Sequence, residues 1–130
     1  MDSYTNFRME EMVRSLEPLM TRRDLIGYAA ARNMRLLVTE LTEFEKTRDA
    51  LIEKYGTDHV DEEGKPTGRK QISPENPKFC EFVEELNKIG NIEHSPNIMK
   101  VIDDDVIGAL SGQEIFDAYW MIDSGVSHEH

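Results

Sequence analysis

Apolar residues recur every three or four positions along the first half of the chain, which is the spacing of one face of an α-helix. The first such run predicts a helix over residues 6–17, because Pro18 cannot donate a backbone N–H and its ring clashes with the preceding turn. The apolar positions of this run are Phe7, Met9, Met12, Val13 and Leu16.

A second and much longer run follows Thr21 and continues to Tyr55. Its steps of three and four are almost unbroken, so the pattern predicts one helix over residues 22–55, capped by Thr21 and ended by a left-handed Gly56. At about 1.5 Å per residue, this helix would be roughly 50 Å long. We call the inward positions of this helix the seam: Ile26, Ala30, Asn33, Leu37, Leu41, Phe44 and Arg48.

A helix of that length is too long for a small domain to cover by itself. Part of the seam is therefore expected to lie against another helix of the chain or against another subunit. Asn33 and Arg48 are polar, and polar seam residues often fix the register and the number of subunits. We therefore expect a homo-oligomer.

The second half of the chain is less regular. Pro74 at a first helical position predicts a helix over 74–89, and the S-x-x-E phrase of Ser111 and Glu114 predicts a capping box. The fold class expected is mainly α: a long helix in a helical hairpin or bundle, with a short β-ribbon and a short C-terminal helix. The single domain, residues 1–130, would continue after the long helix with a polar connector 56–73, helix 74–89, an extended segment 91–107, helix 112–122 and a tail 123–130.

Composition indicates a folded protein of a reducing compartment. Hydrophobic residues make up 38% and charged residues 32% of the 130 positions, which suits a helical domain rather than a disordered chain. The one cysteine, Cys80, cannot form an internal disulfide and is expected to pack beside the inner face of helix 74–89. No apolar run is long enough to span a bilayer, and the N-terminus lacks the form of a signal peptide. The expected location is the cytosol of the cell, with no membrane partner.

The net charge of −11 is concentrated in the second half of the chain. Residues 1–55 carry nine Lys/Arg against ten Asp/Glu, whereas residues 56–130 carry six against sixteen. Such a surface repels phosphate backbones, so general nucleic-acid binding is not expected. Two interpretations stay open: the acidic half binds a basic protein surface, or it only keeps the protein soluble.

Three stretches could hold a metal, and each has a simpler interpretation. In residues 56–73, an EF-hand register would put His59 first and Lys70 at the position of the bidentate carboxylate, so a turn at Gly64 with positive φ is favoured. Asp103, Asp104 and Asp105 lie in a segment expected to be extended, where alternate side chains point to opposite faces. His128 and His130 are close to the end of the chain. No metal site and no cofactor is predicted, and no catalytic motif occurs.

The most basic part of the chain is the start of the long helix. Arg22 and Arg23 would lie at its N-terminus, where the helix dipole favours negative charge, and Arg32 and Arg35 would follow one to three turns later. These four arginines are candidate ligands for an anion such as a phosphate. The alternative is that they are solvated or pair with Glu10, Glu11 and Glu17.

Two phrases of the sequence resemble a known family. AARNMRLLVTELTEFEKTRDALIEKYG, residues 30–56, followed by a polar insert and by FCEFVEELNKI, residues 79–89, is similar to small uncharacterised proteins of tailed phages and prophages of Gram-positive bacteria. The resemblance extends over roughly residues 20–122. It implies a phage context, and it implies no activity or catalytic residue.

These observations lead to three hypotheses on function. The first is a non-enzymatic binding protein that antagonises a host defence system in the host cytosol, by binding a host protein or by sequestering a small nucleotide signal. The second is a phage tail or capsid assembly factor. The third is a metal-dependent enzyme that uses the Asp103–Asp105 cluster.

Overall fold

The computed structural model describes residues 2–123, which are mostly helical with a few short strands. The mainly α class with a minor β component is confirmed. The helices are α1 (Asn6–Leu16), α2 (Leu25–Glu40), α3 (Thr42–Tyr55), α4 (Phe79–Gly90), α5 (Asp103–Val106) and α6 (Gly112–Asp117), with 3-10 turns at Glu17–Leu19 and Tyr119–Met121. The strands are β1 (Tyr4–Thr5), β2 (Thr57–Val60), β3 (Pro66–Gln71), β4 (Glu93–His94), β5 (Val101–Ile102) and β6 (Ile122–Asp123).

The described chain forms two compact units where the sequence indicated a single domain. The first unit holds the residues up to Leu41 together with those from Glu93 onward, and the second unit is Thr42–Ile92. The first unit contains α1, α2 and the C-terminal elements. The second contains α3, α4 and the two strands between them.

The prediction of a single helix over residues 22–55 is wrong, because the helix is interrupted at Leu41. Leu41 has φ −83° and ψ −6°, and its N–H still donates to the Leu37 carbonyl. Two residues earlier, the Thr39 hydroxyl donates to the Arg35 carbonyl at 2.8 Å. A hydroxyl that bonds back to its own helix competes with the backbone ladder and weakens the helix locally.

The start of α2 also differs from the prediction. The N-cap is Asp24 and not Thr21: the Gly27 N–H donates to Asp24 Oδ1 at 3.2 Å. Carboxylates are among the best N-caps because they accept the backbone N–H groups left over in the first turn. The helix therefore begins at Leu25.

The core of the first unit is made where α1 packs against α2. Helix 6–17 is confirmed to within one residue, and Pro18 lies in the 3-10 turn that follows α1. The fully buried large side chains of this unit include Met9, Met12, Leu16, Leu19, Ile26, Leu37 and Met121. The apolar spacing that predicted both helices therefore marks their buried faces.

The segment 91–107 does not form a ribbon with itself. β4 pairs with β1 in antiparallel fashion, with Tyr4 opposite His94, and β5 pairs with β6 in parallel, with Val101 opposite Ile122. Both partners are distant in sequence. The segment thereby ties each end of the first unit to its middle.

The predicted C-terminal helix 112–122 is shorter than expected. The capping box is confirmed: the Glu114 N–H donates to Ser111 Oγ at 3.1 Å, and the Ser111 N–H donates to Glu114 Oε1 at 2.9 Å. The helix ends at Asp117, because Ile122 is extended and pairs with β5.

In the second unit, α3 packs against α4. The Tyr55 and Phe82 rings meet edge to face with centroids 6.5 Å apart, and Phe79 lies 6.3 Å from Phe82. Helix α4 begins at Phe79 and not at residue 74. The reason is Pro77, which disfavours the helical conformation at Asn76. The Asn76 side chain instead accepts the Lys78 N–H at 2.8 Å.

The polar connector 56–73 is largely a hairpin of β2 and β3. Asp61 forms its turn, since Asp61 Oδ1 accepts the N–H groups of Glu63 and Lys65, both at 2.9 Å. Gly64 has the predicted positive φ, at 82°. Gly56 does not have a positive φ. Its absent side chain matters for a different reason, because a Cβ there would lie 2.4 Å from the Ile52 carbonyl oxygen.

Trp120 is held in the first unit by a polar relay. Its indole N–H donates to Ser15 Oγ at 2.9 Å, and the Ser15 hydroxyl donates to the Met12 carbonyl at 2.7 Å. Trp120 is buried and is the one tryptophan of the chain, so its emission reports on this contact.

We predict that Ser15→Ala lowers the free energy of unfolding by about 1–2 kcal/mol, because the buried indole N–H loses its acceptor. Urea unfolding followed by tryptophan emission measures the change. Ser95→Ala, an exposed serine of the same unit, is the control and should be neutral. Equal stability of the two variants would contradict the relay.

Candidate functional site

The outer face of α2 is basic in a strongly acidic protein. Of the 16 residues of α2, only Arg32, Arg35 and Glu40 are charged. Glu40 lies at the far end of the helix, where its Oε2 is 3.2 Å from His94 Nδ1. Arg32 and Arg35 therefore have no acidic neighbour within one turn on α2.

A groove of about 550 Å³ runs along this face. Its volume lies in the range of small-molecule sites, roughly 300–1,000 Å³. One wall is α2 and the other is the chain at residues 97–99. The lining residues are Tyr28, Arg32, Asn33, Arg35, Leu36, Thr39, Asn97 and Met99.

Asn33 connects the two walls of the groove. Its side-chain amide donates to the Met99 carbonyl at 2.9 Å, and its Oδ1 accepts the Met99 N–H at 2.8 Å. One side chain thus satisfies both backbone groups of a single residue 66 positions away. Asn33 is 1% exposed, so the polar position in the seam has a role within the chain.

Arg32 and Tyr28 form a pair at one end of the groove. The Arg32 guanidinium carbon lies 5.9 Å from the centroid of the Tyr28 ring, and its Nη1 lies 3.4 Å from the Tyr28 hydroxyl. Tyr28 is 56% exposed, so its side chain is accessible to a ligand. Within residues 2–123, neither Arg32 nor Arg35 takes part in an ion pair.

The other two predicted anion ligands lie outside the groove. Arg22 Nε donates to Asp24 Oδ1 at 3.1 Å, and this hydrogen bond lowers the pKa of the Asp24 carboxyl. Because Asp24 also caps α2, its own carboxylate occupies the anion position at the helix N-terminus. Arg23 is exposed to solvent. The prediction that all four arginines form one site is wrong, and only Arg32 and Arg35 come together.

The seam is covered within the chain. Ile26, Ala30, Asn33 and Leu37 are at most 1% exposed, and Leu41 and Phe44 are at most 4% exposed. Arg48 is half-buried, with its guanidinium carbon 5.5 Å from the Phe44 centroid. The seam therefore offers no open face to another subunit. The expected homo-oligomer stays a prediction that needs a different surface.

The prediction that Asp103–Asp105 are extended is wrong. These residues form the first turn of α5. Acidic side chains are stabilised there by the helix dipole, and Asp105 Oδ2 accepts the Ile102 N–H at 3.3 Å. No group of three or more His, Cys, Asp or Glu side chains in residues 2–123 is arranged to hold a metal. His128 and His130 lie outside the described residues.

Cys80 is exposed on α4, whereas the sequence indicated a packing position. The difference follows from the later start of the helix, which leaves Cys80 at its second residue.

Several groove residues were not foreseen from the sequence. Tyr28 lies four positions before Arg32 and therefore on the same helix face, a signal that the sequence does contain. Asn97 and Met99 carry no such signal, because they are distant from α2 in the sequence and lie beside it only in the folded chain.

The groove combines charged donors, neutral polar groups and apolar surface. Arg32 and Arg35 offer charged N–H donors, Asn97 and Thr39 offer neutral polar groups, and the remaining surface is partly apolar. Among the described residues that line it, none is a histidine, a cysteine or a carboxylate.

No protein-family model, no curated protein and no solved structure matches this chain. No helix between residues 2 and 123 is both long and apolar enough to cross a bilayer.

We predict that Asn33→Ala lowers the free energy of unfolding by about 2 kcal/mol or more, because both Met99 backbone groups lose their partner. Asn97→Ala removes an exposed amide from the same wall and is the matched control, with little effect expected on stability. Chemical denaturation of the three proteins measures the difference. A neutral Asn33→Ala would show that this amide does not hold the wall in place.

Proposed function

We propose that the protein is a non-enzymatic binding protein that takes a nucleotide-like ligand in the α2 groove. The observation that carries this proposal is the pair Arg32 and Arg35, beside an exposed Tyr28 and without an ion-pair partner in the described chain. In a protein of net charge −11, acidic partners for surface arginines are abundant. Two adjacent arginines that take none are available for a ligand.

The two arginines favour a phosphate-bearing ligand. A guanidinium presents N–H groups in a planar fork that matches two oxygens of a phosphate, and such charge-assisted hydrogen bonds are stronger than neutral ones. Arg32 and Arg35 are three positions apart, so both project from the same side of α2. One phosphate, or two linked phosphates, would fit between them.

The rest of the groove favours a flat and partly apolar group on the same ligand. Tyr28 offers the free face of its ring for stacking, while Leu36 and Met99 supply apolar surface. Stacking of a base on an aromatic side chain contributes about 1–3 kcal/mol. A nucleotide combines both features, whereas inorganic phosphate has only the first.

The phage resemblance supplies a role for such binding. A protein that holds a host nucleotide signal in the host cytosol withdraws that signal from the defence system it activates. This role needs affinity and no chemistry. Binding of a host protein would serve the same purpose, and the acidic second half of the sequence suits a basic surface.

A second candidate function is assembly of the phage tail or capsid. It is favoured by the exposed aromatic side chains Phe116 and Tyr119, since assembly factors act through exposed apolar surface. Detection of the protein in purified particles, or loss of particles on its deletion, would support this candidate against the first. The third hypothesis, a metal-dependent enzyme that uses the Asp103–Asp105 cluster, has no observation in the described residues in its favour: Asp105 Oδ2 accepts the Ile102 N–H there.

We predict that the double substitution Arg32→Ala and Arg35→Ala weakens nucleotide binding by about a hundredfold, taking each charged hydrogen bond at about 1.5 kcal/mol and tenfold for about every 1.4 kcal/mol. Titration calorimetry with mononucleotides and with linear and cyclic dinucleotides measures the affinity. Tyr28→Ala should lower the affinity for nucleotides and leave the affinity for inorganic phosphate unchanged.

The control is Arg23→Ala, which removes an exposed arginine outside the groove. It should bind as the wild type does, and unphosphorylated nucleosides should bind weakly to all variants. If no nucleotide of the panel binds, or if the Arg23 and the double variant lose affinity equally, the proposed function is wrong.

A further inference from the structure

We propose that the surface around Phe116 is an interface with a second copy of this chain. Phe116 is 78% exposed and Tyr119 is 66% exposed, whereas Trp120 in the same segment is buried. Large exposed aromatic side chains that lie close together are uncommon on monomeric proteins, and they mark surfaces that contact another molecule.

The exposure of Phe116 is imposed by the fold. The capping box of Ser111 and Glu114 fixes the start of α6, and the Trp120 indole is bonded to Ser15 on α1. Past the helix, the Trp120 carbonyl accepts a hydrogen bond from Lys100 Nζ at 3.0 Å. Because the segment is held at both ends, Phe116 is presented outward before any partner arrives, which lowers the entropic cost of binding.

A cavity of about 520 Å³ lies beside Phe116, between α1 and α6. It is large enough to admit an aromatic ring from another molecule. Its lining residues are Arg8, Glu11, Arg14, Ser15, Phe116 and Asp117. None of them lines the α2 groove, so this inference does not rest on the proposed ligand.

The charges of this cavity indicate which partner fits it. Two cations, Arg8 and Arg14, stand with two anions, Glu11 and Asp117, so the cavity is balanced although the chain carries −11. A partner whose contacting patch is uniformly basic or uniformly acidic would meet like charges here. A second copy meets opposite charges, because a twofold axis brings the same patch onto itself and lets each cation face an anion.

The ion pairs within one copy leave charged side chains of the cavity available for contact with a second copy. Arg8 Nη1 is 3.9 Å from Glu11 Oε1, at the outer limit of an ion pair, and both side chains are largely exposed. Arg14 takes no ion pair within residues 2–123. In the dimer, Phe116 of each copy enters the cavity of the other copy, and Arg14 faces Asp117 across the axis.

The test is the mass of the full chain in solution, measured by analytical ultracentrifugation from micromolar to submillimolar concentration. The wild type should form a dimer as concentration rises, and Phe116→Ala should raise the dissociation constant by about tenfold or more, as expected for a central aromatic anchor. Ile107→Ala removes another exposed apolar side chain, 70% exposed and outside the cavity, and should leave the dimer unchanged.

A charge exchange tests the orientation of the two copies. Arg14→Glu alone should weaken the dimer by like-charge repulsion, and adding Asp117→Arg should restore it. Tryptophan emission confirms that each variant is folded, since Trp120 is buried in the same unit. A wild type that stays a monomer throughout, or a dimer that Phe116→Ala leaves intact, would overturn the inference, whatever the outcome of nucleotide titrations.

Discussion

The structure of the first unit depends on one buried amide. Asn33 is 1% exposed, and a buried amide is costly unless each of its polar atoms finds a partner. It finds both on the backbone of Met99. The compensation is therefore complete only when residues 97–99 lie against α2. The burial of Asn33 in the core and the placement of residues 97–99 as the second wall of the groove therefore depend on the same two hydrogen bonds.

The regular parts of the fold could be predicted because their causes are local. The spacing of Met9, Met12 and Leu16 places α1, and the Ser111–Glu114 phrase places the start of α6. The break at Leu41 could not be predicted in the same manner. The apolar spacing continues across it, while the hydrogen bond from the Thr39 hydroxyl to the Arg35 carbonyl acts against a continuous helix.

The errors at the candidate sites have a related origin. An apolar seam indicates that something covers it, and the sequence alone does not distinguish another subunit from the distant end of the same chain. Here Val101, Trp120 and Met121 return to the first unit and join the buried core. Similarly, strand geometry predicts alternating side chains at Asp103–Asp105, whereas these residues form a helical turn and the Asp105 side chain accepts the N–H at its start.

The charge of the protein restricts what the α2 groove can select. The overall field of a chain with −11 opposes the approach of every anion, and the opposition grows with the charge of the ligand. Long-range attraction therefore contributes little, and affinity must come from contacts made at close range by Arg32, Arg35 and Tyr28. A small ligand with one or two phosphates and a flat apolar part gains from all three contacts while meeting limited repulsion. A nucleic acid would meet the full repulsion and reach the same few contacts, so the proposed nucleotide site would discriminate against a polymer of nucleotides.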